Sequence, residues 1–248
     1  LVQSNGRLGI GTASPGYLLD VNGDINSAQG NAYRLAGSKV LWYNGSVTSN
    51  WFSGVGAGSA ITSGTENTAH GYNALSAATS ASKNTATGNS ALAAITLGSF
   101  NTATGYLALS ACTTGAHNTA IGIHALWQHT SGDNNTAIGS KSLYSSTSGT
   151  YNTATGFQSL YNNTTSTYNT AHGSNALYTN TGDYNSGFGS YSLYLNNTGY
   201  SNTAIGHKAL YTNDDGIWNN AMGVNSLFSN TSGTRNVAIG YQTMYSND

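Results

Sequence analysis

A motif of seventeen residues returns eleven times along this chain, and such a chain can only fold as a stack of copies. The motif reads N-[TS]-A-x-G-x-x-[AS]-L-[YFW], followed by seven residues rich in Ser, Thr, Asn and Gly. A unit this short cannot bury a core alone, so each copy packs on its neighbours and the stack forms a rod. Positions are numbered here from the leading Asn, position 1, to position 17. That Asn stands at 67, 84, 101, 118, 135, 152, 169, 185, 202, 219 and 236, so one interval is sixteen residues long.

The secondary structure predicted for this motif is β. Gly, Asn, Thr and Ser interrupt any helical pattern, whereas two short β-type runs fit each repeat: positions 1–5, and Ala-Leu-Tyr with its neighbours. Each strand then pairs with its equivalent in the next coil at about 4.8 Å. We therefore predict an all-β fold, a parallel β-solenoid (β-roll) of eleven to twelve coils over residues 50–248.

Three columns of small or polar residues support this prediction. The Gly at position 5 never varies, which indicates a bend with φ > 0 or a close approach. A second, less regular Gly column at position 15 predicts the other bend. The Asn at position 1 is expected to stack into an amide ladder, with each side chain bonded to the copies above and below.

The apolar columns predict more than one covered face. Position 9 is Leu in ten repeats and Met244 in the last, and position 10 is mostly aromatic. If Ala-Leu-Tyr is extended, these two side chains project to opposite sides, and the second apolar face needs another chain or a covering loop. The candidates for this trimer interface or core are Trp127, Tyr144, Tyr161, Tyr178, Tyr194, Tyr211, Phe228 and Tyr245.

Composition excludes several classes of function. Only 6% of residues are charged, with 7 Lys and Arg against 8 Asp and Glu, so no basic stripe exists to bind nucleic acid. No apolar run is long enough to insert into a membrane. Cys112 is the single cysteine, and a buried apolar role is the expectation for it.

The block N-T-A-I-G-x-x-A-L, as in 118–126 and 202–210, resembles the head repeats of trimeric autotransporter adhesins. That resemblance implies coils of a β-roll packed three around an axis, hence a homotrimer. The segment 5–25, with G-I-G-T, Pro15 and L-D-V-N-G, resembles a segment common in phage tail fibres. We thus divide the chain into an N-terminal fibre segment (1–28), a connector with one strand at 39–43 (29–49) and the solenoid (50–248).

These features predict a structural and adhesive segment of a trimeric fibre, of a phage tail fibre type, that presents a receptor-binding surface. Its partner would be a cell-surface glycan or protein, and its location extracellular, on a virion or a bacterial surface. A bacterial adhesin head is the alternative; an ice-binding solenoid or a polysaccharide depolymerase is less favoured. The receptor-contact candidates, all at position 17, are Phe100, His117, Tyr151, Tyr168, Tyr184 and Trp218. Aromatic packing between loops or between chains is the alternative role for these side chains.

No catalytic set or cofactor motif emerges from the sequence. The carboxylates are scattered, without a recurring pair at general acid/base spacing. His70 and His172 lie six coils apart and cannot share a metal ion within one chain. They are candidates only where three copies of one of them meet on a threefold axis.

Overall fold

The computed structural model describes residues 7–10, 12, 14, 16–21, 32–35, 38–44 and 49–247. Throughout these residues the regular structure is β, as predicted. The strands are β1 (Leu8–Ile10), β2 (Leu19–Val21), β3 (Ala32–Leu35), β4 (Ser38–Asn44), β5 (Asn50–Ser53), β6 (Thr68–His70), β7 (Thr85–Thr87), β8 (Thr102–Thr104), β9 (Thr119–Ile121), β10 (Thr136–Ile138), β11 (Thr153–Thr155), β12 (Thr170–His172), β13 (Thr179–Asn180), β14 (Ser186–Phe188), β15 (Leu195–Asn196), β16 (Thr203–Ile205), β17 (Asn220–Met222) and β18 (Val237–Ile239).

One long sheet carries the fold, and it confirms the predicted parallel β-solenoid. Motif positions 2–4 form one strand in every coil, and each strand pairs in parallel with the equivalent residues of the next coil, as Ala137 does with Ala154. The register persists across the sixteen-residue interval, where Ala171 pairs with Gly187. The first coil strand is β5, so the degenerate first coil predicted at residue 50 is present.

The second strand predicted for Ala-Leu-Tyr is wrong. These residues form turns, and the Leu has a left-handed φ of 47–56° in every repeat that carries it. The position 8 amide donates to the carbonyl oxygen of the position 5 Gly, as between Ser142 and Gly139 at 3.3 Å. The Leu side chains are nevertheless fully buried. Leu and the aromatic residue after it therefore do not lie on opposite sides of an extended strand.

The two Gly columns are required for different reasons. Every Gly at position 5 has a φ of 122–137°, and a Cβ on Gly139 would lie 2.5 Å from the carbonyl oxygen of Gly156. This column is the predicted bend. The Gly column at position 15 does not have positive φ, but a Cβ on Gly182 would lie 1.9 Å from the carbonyl oxygen of Gly199. Here the close packing of adjacent coils, rather than the backbone conformation, excludes a side chain.

The predicted Asn ladder is present, and it runs inside the coil. Asn101 Nδ2 donates to Asn84 Oδ1 at 3.1 Å and to the carbonyl oxygen of Gly115 at 2.8 Å, while the Asn101 amide donates to the same Asn84 oxygen. The first of these bonds joins two coils and the second joins the two ends of one coil. Since the side chains are buried, these bonds satisfy groups that water cannot reach.

A second polar column, at position 12, was not predicted. In the first coils position 12 is apolar, with Ile95 and Cys112 fully buried. His129 and Ser146 follow, and from Asn163 onward every residue in this column is Asn. These Asn side chains form another ladder; Asn213 Nδ2 donates to Asn196 Oδ1 at 2.7 Å. Short parallel pairing at position 11 runs beside this ladder. It consists of the strand pair β13–β15 and of single bridges at 212, 229 and 246.

The N-terminal part differs from the prediction in one respect, because the connector 29–49 contains two strands, β3 and β4, rather than one. β1 and β2 pair in parallel as a separate sheet. The predicted strand at 39–43 lies inside β4, which pairs antiparallel with both β3 and β5. Pro15-Gly16 and Asn22-Gly23 have the composition of turns, and Pro15, Asn22 and Gly23 lie outside the described residues.

Candidate binding surfaces

The side chains at position 17 form an exposed column that follows the rod. Each precedes a buried Asn and has a left-handed φ, between 56° and 62° for the six receptor-contact candidates. All six side chains are exposed. Among the Phe, Tyr and Trp residues, Tyr184 is the most exposed, at 57%. Because the strands stay in register, the structure aligns these six candidates on one line.

The six candidates divide into three groups along that line. Phe100 stacks on His117 with 4.7 Å between ring centroids, and Lys83 Nζ lies 5.1 Å from the Phe100 ring. In the next group, the rings of Tyr151, Tyr168 and Tyr184 stack at 4.9 and 5.1 Å and are nearly parallel. Asn134 separates these two groups at position 17.

Trp218 belongs to the third group and does not stack on another candidate. The Tyr200 ring meets it edge-on at 5.8 Å, and the Arg235 guanidinium lies 4.7 Å from its ring centroid. The prediction missed Lys83, Tyr200 and Arg235. Lys83 and Arg235 stand at position 17 of their own repeats, so an alignment of the repeats places them in the same column as the ring candidates. The prediction considered only side chains with rings at that position.

This stacking decides how the tyrosines can contact a ligand. Aromatic rings that hold sugars usually present a free face. In the column 151–168–184 the middle ring has a neighbour on each face, so its outward features are its edge and its hydroxyl group. The ring centroids are 4.9 and 5.1 Å apart, so the column offers a row of ring edges and hydroxyl groups. Such a row suits hydrogen bonding better than face-on stacking.

The side chains at position 10 form a second aromatic ladder, and it packs within the chain. The eight rings from Trp127 to Tyr245 follow one another at 4.9–5.2 Å. The residues are half-buried except Tyr245, which is exposed. Burial, then the neighbouring tyrosines, raises the pKa of Tyr161 and Tyr194. Each ring covers the next, so this column is already largely sheltered, and its role in a trimer interface remains a prediction.

A different surface, the outer face of the sheet, exposes apolar side chains. Motif positions 2 and 4 point away from the core, and position 6 borders them after the Gly bend. None of these positions carries Lys, Arg, Asp or Glu in any of the eleven repeats. Large apolar residues at positions 4 and 6 are 38–71% exposed, namely Ile121, Ile123, Ile138, Phe157, Phe188, Ile205, Met222, Val224, Ile239, Tyr72, Tyr106 and Tyr241.

The two metal candidates lie on this outer face and are not brought together. His70 and His172 both occupy position 4, in β6 and β12. No group of three His, Cys, Asp or Glu residues that could hold a metal ion occurs among the described residues. An ice-binding array would need Thr pairs on successive strands, and Thr-Ala-Thr occurs at 85–87, 102–104 and 153–155. Two such strands lie side by side only once, where 85 and 87 pair with 102 and 104.

Two of the loop carboxylates accept hydrogen bonds from backbone amides. Asp133 Oδ1 accepts the amide of Ala116 at 2.7 Å, and Asp183 Oδ1 accepts that of Thr167 at 2.7 Å. Both bonds connect one coil to the previous one. These two aspartates therefore help to hold adjacent loops in register.

Comparison with known proteins adds no relative. A scan against family models, a search of curated proteins and a search of solved structures each found no match. Across the part of the chain that the structure describes, no helix is long and apolar enough to span a membrane.

Proposed function

We propose that this chain is a structural and adhesive segment of a homotrimeric fibre of the phage tail-fibre type, which presents a receptor-binding surface. The observation that carries the proposal is the uncharged, partly apolar outer face of the sheet. A monomeric protein rarely leaves so long an apolar stripe in water, and two further copies of the chain can cover it.

The outer face suits association of identical chains. Successive coils are separated by the same strand spacing, so a protruding side chain such as Ile205 and the space beside it have the same spacing along the rod in every copy of the chain. Side by side, copies in the same register meet an equivalent neighbour at every coil. The absence of charge means that no ion is desolvated when this face is covered. The position 10 ladder needs cover less, because its rings shelter one another.

The rest of the rod suits a rigid spacer. An unbroken parallel sheet and one ladder of buried amides connect each coil to its neighbours along the solenoid. A second amide ladder from Asn163 and an aromatic stack from Trp127 add further connections between the later coils. The motif in residues 5–25 favours the tail-fibre type over an adhesin head. The exposed position 17 groups are then the receptor contacts, and the hydroxyl row of Tyr151, Tyr168 and Tyr184 suits a hydrogen-bonding ligand such as a glycan.

Mass measurement tests the assembly. Mass photometry or sedimentation should give three times the 25.5 kDa mass of one chain. Ile205→Lys places a charge on the outer face and should yield monomers or aggregates. Gln158→Lys is the matched control, because Lys already stands at that motif position at 141 and 208. A wild-type species with the mass of a single chain at micromolar concentration contradicts the trimer.

Binding measurements test the receptor surface separately. Tyr151, Tyr168 and Tyr184 are changed together to Ser, and binding to immobilised surface glycans and to bacterial cells is compared with that of the wild type. We expect binding to fall at least tenfold while the mass is unchanged. Gln158→Ser, at motif position 7 where Ser90 already stands in another repeat, is the control. If the wild type binds and the triple variant binds equally well, the contact assignment is wrong.

A further inference from the structure

The turns that carry motif positions 10 and 11 are bonded from coil to coil, and one bond in this series is missing. The amide of position 11 donates to the position 10 carbonyl oxygen of the next coil, as Gln128 does to Tyr144 at 3.1 Å. Between residues 60 and 245 this bond is present at every step but one. The exception lies between Ala111 and Trp127, where neither the amide nor the carbonyl oxygen has a hydrogen-bond partner among the described residues.

The aromatic ladder at position 10 begins at the same step. The Trp127 ring packs on Tyr144 with 5.0 Å between centroids, and the interplanar angle of 32° is the largest between successive rings of this ladder. One coil earlier position 10 is Ser110, and before it Ala93. Within the described part of the chain, no ring stacks on the second face of Trp127, which lies on the side of these small residues.

Two further rings border Trp127. The His124 ring packs against it with 5.7 Å between centroids and an interplanar angle of 61°, and the exposed Tyr106 ring packs against His124 at 5.4 Å. His124 Nδ1 is buried and has no hydrogen-bond partner among the described residues, so a ligand on Trp127 does not reach this nitrogen. These two side chains support the Trp127 ring and leave its face toward Ser110 open.

The groups at this step match a neutral ligand with hydroxyl groups. Residues 106–112 and 123–129 include no Lys, Arg, Asp or Glu. One hydroxyl group can accept from the Ala111 amide and donate to the Trp127 carbonyl oxygen. The Ser110 hydroxyl also bonds no described group. A sugar ring has C–H groups on one face and hydroxyl groups at its edge, so it can use an aromatic face and the polar groups beside it together.

We propose that Trp127, Ser110 and Ala111 form a binding site for one neutral pyranose unit of a glycan. The C–H face of the sugar packs on the Trp127 ring, in the place that the preceding ring takes in the later coils. One sugar hydroxyl bridges the Ala111 amide and the Trp127 carbonyl oxygen, and another bonds Ser110 Oγ. This site is separate from the receptor contacts at position 17, and it does not require the trimer.

Fluorine NMR of the full chain labelled with 5-fluorotryptophan tests the proposal. The chain has 4 Trp residues, and Trp127→Phe assigns the signal of Trp127. Glucose, galactose, mannose and N-acetylglucosamine are titrated separately. We expect at least one of them to shift the Trp127 signal saturably, with a Kd of about 1–10 mM for a single sugar ring. Glycerol, which has hydroxyl groups but no ring face, is the control and should leave the signal in place.

Ser110→Tyr and Ser110→Ala form a matched pair at the open face. The first extends the aromatic ladder by one ring, which covers Trp127, so the sugar-dependent shift should be lost. The second introduces the residue found at this position one coil earlier and removes only the hydroxyl group. It should weaken binding by no more than about fivefold. If Ser110→Tyr unfolds, Ser110→Leu covers the same face and should also abolish the shift.

Several results overturn the proposal: no saturable shift of Trp127 with any of the four sugars, an equal shift with glycerol, or unchanged binding when the ring is covered. The variant with Tyr151, Tyr168 and Tyr184 changed to Ser separates this site from the receptor contacts, and it should keep the Trp127 shift. Loss of the shift in that variant would assign the sugar to position 17 instead. The mass of the assembly is an independent result, because no other chain contributes to this site.

Discussion

The Nε2 atom of His129 lies 2.7 Å from the carbonyl oxygen of Gly132, and the imidazole is fully buried in the coil. Its Nδ1 is 3.3 Å from Ser146 Oγ in the next coil. A neutral ring with the proton on Nε2 satisfies both contacts, since Nε2 then donates to the carbonyl and Nδ1 accepts from the hydroxyl. Burial, the dominant effect, lowers the pKa of His129 below its ordinary 6.5.

This lowered pKa predicts acid sensitivity. Below pH 6.5 the unfolded chain binds a proton at His129 that the folded chain does not, so the free energy of unfolding falls as the pH drops from 6.5 through the folded-state pKa. His129→Asn introduces the residue found in the same column from 163 onward. We expect the free energy of unfolding, measured in urea, to fall less between pH 7.5 and pH 5 for this variant than for the wild type. Equal losses would contradict the assignment.

The position 5 Gly column predicts a large difference between two identical substitutions. Gly139→Ala imposes a left-handed strain and a backbone clash with Gly156, and should cost more than about 3 kcal/mol. Gly240→Ala has similar strain, with φ of 122°, but meets only a methyl group at 3.3 Å, and should cost about 1–3 kcal/mol. Thermal and urea unfolding measure both. Equal effects would mean that strain alone, without the clash, explains the column.

Asn101→Asp should be strongly destabilising, because it replaces the Nδ2 donor by a buried carboxylate facing the oxygens of Asn84 and Gly115. We expect a loss of more than about 3 kcal/mol at pH 7. Asn134→Asp, at an exposed position 17, is the matched control and should change stability by less than about 0.5 kcal/mol. Urea unfolding at pH 7 compares them, and a tolerant response at 101 would contradict the ladder as a main source of stability.

The sixteen-residue coil predicts a stabilising insertion. This coil, residues 169–184, lacks position 14. In most other coils the Nδ2 of the position 1 Asn donates to the position 15 carbonyl oxygen, whereas Asn169 Nδ2 is buried without a hydrogen-bond partner among the described residues. Ser inserted between Thr181 and Gly182 restores the seventeen-residue length and should raise stability by about 1 kcal/mol. The same insertion between Thr198 and Gly199 lengthens a coil that is already complete and should bring no gain. Calorimetry of both variants tests the assignment.

Cys112 should report opening of the coil. Burial raises the pKa of its thiol to about 12, so almost no thiolate is present at pH 8. We expect alkylation of the native chain to be at least a hundredfold slower than in urea. A Cys112→Ala, Thr114→Cys variant, with the thiol on the exposed side of the same turn, should react rapidly. Fast labelling of native Cys112 would show that this part of the core opens readily.

The repeat made much of this architecture predictable. An invariant Gly and an invariant Asn at a fixed period required a bend and an internal ladder, and both are present. The turn at Ala-Leu was not predictable, because Leu seldom adopts positive φ and periodicity does not distinguish a buried turn from a strand. The position 12 ladder was missed because Asn occupies that column in only half of the coils and is masked by Asn-rich loops around 162–163 and 196–197.

The position 17 residues were predicted as receptor contacts, with aromatic packing between loops or chains as the open alternative, and the structure stacks several of these exposed rings on one another. This could not be inferred from one repeat, since stacking depends on whether neighbouring coils carry rings in the same column. Tyr151 has such a neighbour in Tyr168, whereas Trp218 is followed by Arg235. Such stacking is visible in a sequence only when the residues at one motif position are compared across successive repeats.

The uninterrupted register has an evolutionary consequence. Because every coil meets its neighbours through the same bonds, unequal crossing-over between two copies in the gene inserts or deletes a whole coil without disturbing the contacts of the others. The reach of the rod can then drift in increments of about 4.8 Å. Selection can therefore set the length of the solenoid by changing the copy number alone.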